Sequence, residues 1–129
     1  MQIIRGCLIL VKFFNFDNIA VVERENYFRS IFNVLKVGSE KIGLLKVIIP
    51  SNTIAKKHYH KEHFEIFIFL KGRGNVTVES HSVKELYVDK GSILIIEPGE
   101  KHTVQALNEP LEIVVIKVPY KPEDKVLEG

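Results

Sequence analysis

The chain has one cysteine, one methionine and no tryptophan among its 129 residues. With Cys7 alone, no disulfide can close within the chain, so stability must come from a packed core, and a reducing cytoplasm is the expected setting. Cys7 stands in an apolar stretch away from other ligand-type side chains, where a buried structural thiol is expected. Long apolar runs are missing as well. The first sixteen residues, MQIIRGCLILVKFFNF, are broken by Arg5 and Lys12, which leaves a run too short for a signal sequence and far too short to cross a bilayer. An N-terminal apolar segment, residues 1–17, therefore reads as a buried or partner-covered strand. Charge of one sign is also lacking: 18 basic residues are interspersed with 16 acidic ones, which leaves no electrostatic footprint for nucleic acid.

Helical periodicity is absent over any three turns after Val22, with Tyr27 to Leu35 the nearest approach to it. What is present is a succession of short runs rich in Val, Ile and Phe, divided by Gly, Asn, Ser and Pro. Strands are expected over residues 19–22, 28–37, 42–49, 54–60, 65–70, 75–79, 83–88, 92–96, 102–107 and 111–118, followed by a polar, mobile C-terminal extension, residues 121–129. At this length and spacing the chain reads as one all-β domain, a sandwich or barrel, able to bury about two-thirds of its unfolded surface without structural metal. The stretch 65–70 is apolar on both faces, so it must be covered twice.

Histidine is concentrated rather than scattered. His58, His60, His63 and His102 border two turns, and only His81, at a hairpin tip, lies apart. Side chains alternate along a strand, so His58 and His60 share one face. Glu65 shares parity with Phe67 and Phe69 and points inward, where a buried carboxylate needs a cation. His102 shares parity with Val104 and Ala106 and points inward too. His63 is expected in the turn between the strands, as a surface residue. Three imidazoles and a carboxylate form a credible shell for a divalent transition metal.

These residues carry a resemblance. His58-Tyr59-His60, Glu65 and Gly72 match the first cupin motif in type and spacing, and Gly91, Gly99 and His102 match most of the second. The chain resembles the small single-domain cupins. It departs from their pattern at Asn52, where the first motif opens with Gly, at Glu97, where the second has Pro, and at Ala106, where the second ends in Asn. Asn tolerates the left-handed turn that Gly would supply.

The resemblance implies a double-stranded β-helix, a conical β-barrel of jelly-roll type, often dimeric, with His58, His60, Glu65 and His102 as ligands of Fe, Mn, Ni, Cu or Zn. It also implies a small-molecule ligand or substrate and a homodimer, with neither nucleic acid nor membrane as partner. The first expected function is a small metalloenzyme of dioxygenase-like chemistry, with Phe67, Phe69, Ile95 and Val104 as an apolar wall that excludes water. Glu97 and Lys101 lie near the His102 turn, but no general base can be assigned. The second is sugar-phosphate isomerisation, since residues 58–113 look like the C-terminal domain of bacterial mannose-6-phosphate isomerases, and Lys101 or Arg73 would then meet the phosphate. The third is a noncatalytic module that binds a small ligand or a metal.

Overall fold

The computed structural model describes residues 2–4 and 7–9 by their backbone, and residues 13–30, 33–122 and 124–127 in full. The first two strands, β1 (Gln2–Ile4) and β2 (Cys7–Ile9), pair with each other and, among the described residues, with no other strand. The side chains of this N-terminal part, including the Cys7 thiol expected to be buried, lie outside the described residues. A single 3-10 turn, Phe16–Asn18, is opened by the Asn15 side chain, which accepts a hydrogen bond from the Asp17 amide at 3.0 Å. Phe16 anchors this stretch against the next long strand, for its carbonyl accepts from Lys46 Nζ at 2.7 Å and its ring lies 4.5 Å beneath the same ammonium.

Two antiparallel sheets make up the remainder. One holds β11 (Ile93–Ile96), β8 (Phe64–Lys71), β13 (Leu111–Val118), β6 (Glu40–Ile49), β4 (Tyr27–Arg29) and β3 (Val22–Arg24) in that spatial order, with β5 (Asn33–Val37) also paired to β6. The other holds β10 (Val83–Val88), β9 (Gly74–Glu79), β12 (Lys101–Ala106), β7 (Ile54–His60) and β14 (Lys125–Leu127). Successive strands from β7 onward cross between the sheets or turn back within one, the winding of a jelly roll. Among the described residues no helix is long and apolar enough to cross a membrane.

Alternation explains the core. On β13 the burial pattern follows the apolar phase without a break, Leu111, Ile113 and Val115 being inward. Phe67 and Phe69 from β8 and Val104 and Ala106 from β12 meet them, and fully burying one such large side chain is worth about 1.5–3 kcal/mol. The strand expected over 28–37 is two strands, because Ser30 breaks the ladder. Its Oγ accepts from the Lys46 amide at 2.8 Å while its own amide donates to the Lys46 carbonyl at 2.9 Å. The strand expected over 19–22 begins only at Val22. The C-terminal extension is not loose: Lys125, Val126 and Leu127 pair with His60, Tyr59 and His58 on β7.

Two turn residues carry special backbone. Asn52 has φ +55°, the left-handed geometry that lets it stand where the resembled motif opens with glycine. Gly72 has φ +90°, and a Cβ there would collide with the Pro110 carbonyl oxygen and come within 3.0 Å of its carbonyl carbon. Gly72→Ala therefore meets backbone on backbone as well as an unfavourable φ, and we expect it to lower stability by more than about 2 kcal/mol, read as a drop in urea midpoint. An unchanged midpoint would contradict this packing of the two loops.

Candidate metal centre and cavity

The four ligand-type residues come from both sheets. His58 and His60 stand on β7 and His102 on β12, with His102 directly opposite His58, whereas Glu65 is on β8 of the facing sheet. Strand parity alone would not have put Ala55 and His58 on the same side. Between these positions two residues of β7, Lys56 and Lys57, oppose one of β12, Thr103, a bulge that shifts the phase and turns the Ala55 and His58 side chains inward. The turn carrying Pro98 and Gly99 is tied to the same strand, since the Gly99 amide donates to the His60 carbonyl at 2.8 Å.

His58, His60, Glu65 and His102 each present one ligand atom within 4.8 Å of the others. Glu65 is 3 % exposed, His60 2 % and His102 1 %. Glu65 Oε1 lies 2.8 Å from His60 Nε2 and 3.1 Å from His102 Nε2. Those three atoms nevertheless make no hydrogen bond of acceptable angle to anything. His58 and His102 are oriented alike, each Nδ1 facing the carbonyl two residues earlier, Lys56 at 2.8 Å and Glu100 at 3.1 Å. A carbonyl only accepts, so each Nδ1 carries the proton and each Nε2 keeps its lone pair for the site. Burial, then the neighbouring His102, pushes the His58 imidazole down to about 3, so it is neutral at physiological pH.

Lys117 is a site residue that sequence reasoning missed. It is 8 % exposed on β13, opposite Glu65, with Nζ 3.6 Å from Glu65 Oε2, and burial lowers its pKa although Glu65 opposes the shift. The signal was there: Lys117 is in phase with the inward Leu111, Ile113 and Val115.

His63 is not the surface residue its turn position suggested. It is 3 % exposed, stacks on His60 at 5.2 Å between ring centroids and 11° between planes, and bonds the Lys121 backbone through Nε2 at 2.7 Å. Burial lowers its pKa, so the ring is neutral. Its turn is fixed from afar by Asp124, whose carboxylate accepts from the amides of Lys61, Glu62 and His63 at 2.9, 2.8 and 2.9 Å. His60, His63 and Asp124 also lie within 4.8 Å by their ligand atoms. The three amide bonds give Asp124 a structural task already.

The centre opens on a cavity of about 460 Å³ inside the barrel, lined by His58, Glu65, Phe67, Val104 and Lys117 among others. Phe67 and Val104 are in the expected wall and Phe69 is in the core behind it, but Ile95 is not: it is 60 % exposed. Ile96 faces inward instead, paired with Glu65, because the unbroken run of Ile93 to Ile96 offers no polar residue to mark the phase. Neither Glu97 nor Lys101 lines the cavity. Arg73 follows the far end of β8, whose last residue, Lys71, is roughly 20 Å from Glu65 at about 3.3 Å per residue.

Comparison with known proteins decides the family. The family model described as "Cupin domain" matches residues 45–117, more than half of the sequence. The chain belongs to the cupin family. An uncharacterized protein of Methanocaldococcus jannaschii, MJ1618, is 36 % identical over 88 residues, a match covering 65 % of this chain and 66 % of that one. Among solved structures, a variant of Bacillus subtilis oxalate decarboxylase superposes with a TM-score of 0.73 at 16 % identity, covering 89 % of this cupin and 32 % of that chain. KdgF from Halomonas sp. superposes with a TM-score of 0.71 at 15 % identity, covering 88 % of this chain and 98 % of that one. This cupin therefore spans about a third of the decarboxylase and nearly all of KdgF, and at these identities the likeness is one of fold.

Proposed function

We propose that this cupin is a metal-dependent protein in which His58, His60, Glu65 and His102 hold one divalent transition ion and the adjoining cavity admits a small organic molecule. The observation that carries this reading is the trio of buried, mutually close and unbonded atoms, His60 Nε2, His102 Nε2 and Glu65 Oε1. Leaving a buried polar atom unpaired costs about 1–3 kcal/mol, and more for a charged group, and an ion at their common focus removes that cost for all three. Three neutral nitrogens and one anionic oxygen suit Fe, Mn, Ni, Cu or Zn. Such an ion supplies Lewis-acid or redox chemistry at whatever coordination positions the protein leaves open. The chain's own part is to orient the imidazoles through the Lys56 and Glu100 carbonyls and to keep water from the cavity with Phe67, Val104 and Val115.

Oxygenation of a small molecule bound beside the apolar Phe67, Val104 and Val115 is the reaction we favour. Anaerobically purified, Fe-loaded protein is expected to consume oxygen together with an organic substrate. Tight ligand binding without turnover across a broad panel would instead establish a noncatalytic module. The sugar-phosphate reading finds less support, because neither Arg73 nor Lys101, the cations it calls on, is among the residues that line the cavity.

Association as a homodimer rests on the outer face of the larger sheet. Ile93 and Ile95, 67 % and 60 % exposed on the edge strand β11, adjoin Ile68 and Ile66, which adjoin Val114 and Ile116. Three neighbouring strands thus present rows of aliphatic side chains, a face that a second copy of the chain covers by symmetry. Light scattering is expected to give a dimer for the wild type and a monomer for Ile93→Lys combined with Ile95→Lys. A monomeric wild type at micromolar concentration would contradict the assignment.

A further inference from the structure

We propose that Lys117 is the built-in counter-cation of the metal centre: it neutralises the Glu65 carboxylate before any ion arrives, and by competing with the ion for that charge it limits how tightly the ion is held. This rests on the reading of His58, His60, Glu65 and His102 as ligands and deepens it, since it assigns the control of their affinity to a residue outside the set.

Strand register fixes the pair. Lys117 on β13 stands directly opposite Glu65 on β8, and both are buried where they line the cavity, so neither can leave the other without a shift of the sheet. The two oxygens of Glu65 face different partners. Oε2 lies 3.6 Å from Lys117 Nζ, whereas Oε1 lies 2.8 Å from His60 Nε2 and 3.1 Å from His102 Nε2. Lys117 thus engages the oxygen that the imidazoles leave, and the other is turned to the ligand side. An ammonium at this position depends on the carboxylate in return. Burial and the like charges of Lys125 and Arg29 work against it, and Glu65 works for it.

Charge dictates what such a pair does. A carboxylate taken out of water needs a cation, and because Lys117 supplies one from the chain itself, the ligand set is assembled by folding rather than by metal. When a divalent ion binds, the same ammonium becomes a like charge on the far side of one carboxylate. Two effects of Lys117 on affinity then oppose each other. As a group that orients Glu65 it strengthens binding, an effect worth roughly 10–100-fold. As a cation it weakens binding: repulsion between a divalent and a monovalent charge even about 8 Å apart, at an effective dielectric of about 20, corresponds to roughly a thousandfold. Repulsion is the larger. A chain without this charge therefore folds less firmly and grips its ion harder, whereas loss of a lysine that only braced its neighbour would loosen the ion.

Competition with a chelator measures the balance, using whichever of Mn, Fe, Ni, Cu and Zn the wild type retains. Lys117→Met and Lys117→Gln, which remove the charge, are expected to hold that ion at least about tenfold more tightly than the wild type, and Lys117→Arg, which keeps it, to stay within about threefold. Melting curves give a second readout. Without metal the two neutral variants should melt roughly 10–20 °C below the wild type, and saturating ion should close most of that gap. Affinity equal to or weaker than the wild type's in the neutral variants, or a melting deficit that the ion does not narrow, would overturn the proposal. Should Lys117→Met not fold with or without the ion, Lys117→Gln decides. Elemental analysis of the wild type separates the two readings. A wild type without bound metal would defeat the metal assignment and this inference with it, whereas a wild type that holds its ion, with neutral variants that hold it no more tightly, would defeat this inference alone.

Discussion

His102→Ala is expected to reduce bound metal from about one ion per chain to less than a tenth. The expectation follows from where the side chain sits. His102 is 1 % exposed, its Nδ1 is committed to the Glu100 carbonyl, and its Nε2 has no hydrogen-bond partner although Glu65 Oε1 is 3.1 Å away. Losing even a group that only orients a ligand costs roughly 10–100-fold in metal affinity, so losing a ligand itself should cost more than a hundredfold. His58→Ala, His60→Ala and Glu65→Gln should behave alike. His81→Ala should keep the full complement, because His81 is exposed between β9 and β10. His63→Ala should keep it too, at a cost in stability from the lost stacking on His60. Full stoichiometry in all four ligand variants would refute the assignment.

Asp124→Asn is expected to lower stability at neutral pH by about 2–3 kcal/mol, or roughly 8–12 °C in melting temperature for a domain of this size. Asparagine keeps the shape but replaces one accepting oxygen with a donor that opposes the backbone amides, so the bonds from Lys61, Glu62 and His63 cannot all survive. The effect should depend on pH in a stated direction. Burial raises the Asp124 carboxyl, but the amides of Glu62, His63 and Lys61 outweigh it and place the folded value below the usual 3.8. A group depressed in the folded state contributes stability that is complete above its unfolded value and is lost as pH falls through the folded one. The gap between wild type and Asp124→Asn in urea titrations should therefore be constant near pH 7 and shrink below about pH 4. A gap that persisted undiminished into strong acid would show that the carboxylate charge is not what holds the turn.

Much of this site is legible in the sequence. Glu65 shares parity with Phe67 and Phe69, and the three are buried together as that phase requires. The strand 65–70, expected to be covered on both faces, is β8: Glu65, Phe67 and Phe69 face the core, whereas Ile66 and Ile68 are half-buried and Leu70 is exposed on the outer face of the larger sheet. What is not legible has identifiable physical causes. A bulge at Lys56 and Lys57 changes phase without any signature in the side chains, and Ile93 to Ile96 carries no polar residue from which to count. His63 reads as exposed because its burial depends on Lys121 and Asp124, about sixty residues later in the chain. Lys117 could have been found, since a lysine in phase with three inward aliphatic residues has no reason to be there unless something charged is its neighbour.

The measurement that tests the central claim most directly is a native mass spectrum of the wild-type chain, taken after supply with Mn, Fe, Ni, Cu and Zn in turn and thorough desalting. The account predicts that at least one of these is retained as a single ion per chain and that the same ion is absent from His102→Ala. A wild-type chain that retains none of the five, or a His102→Ala chain that retains the ion as firmly as the wild type, would contradict it.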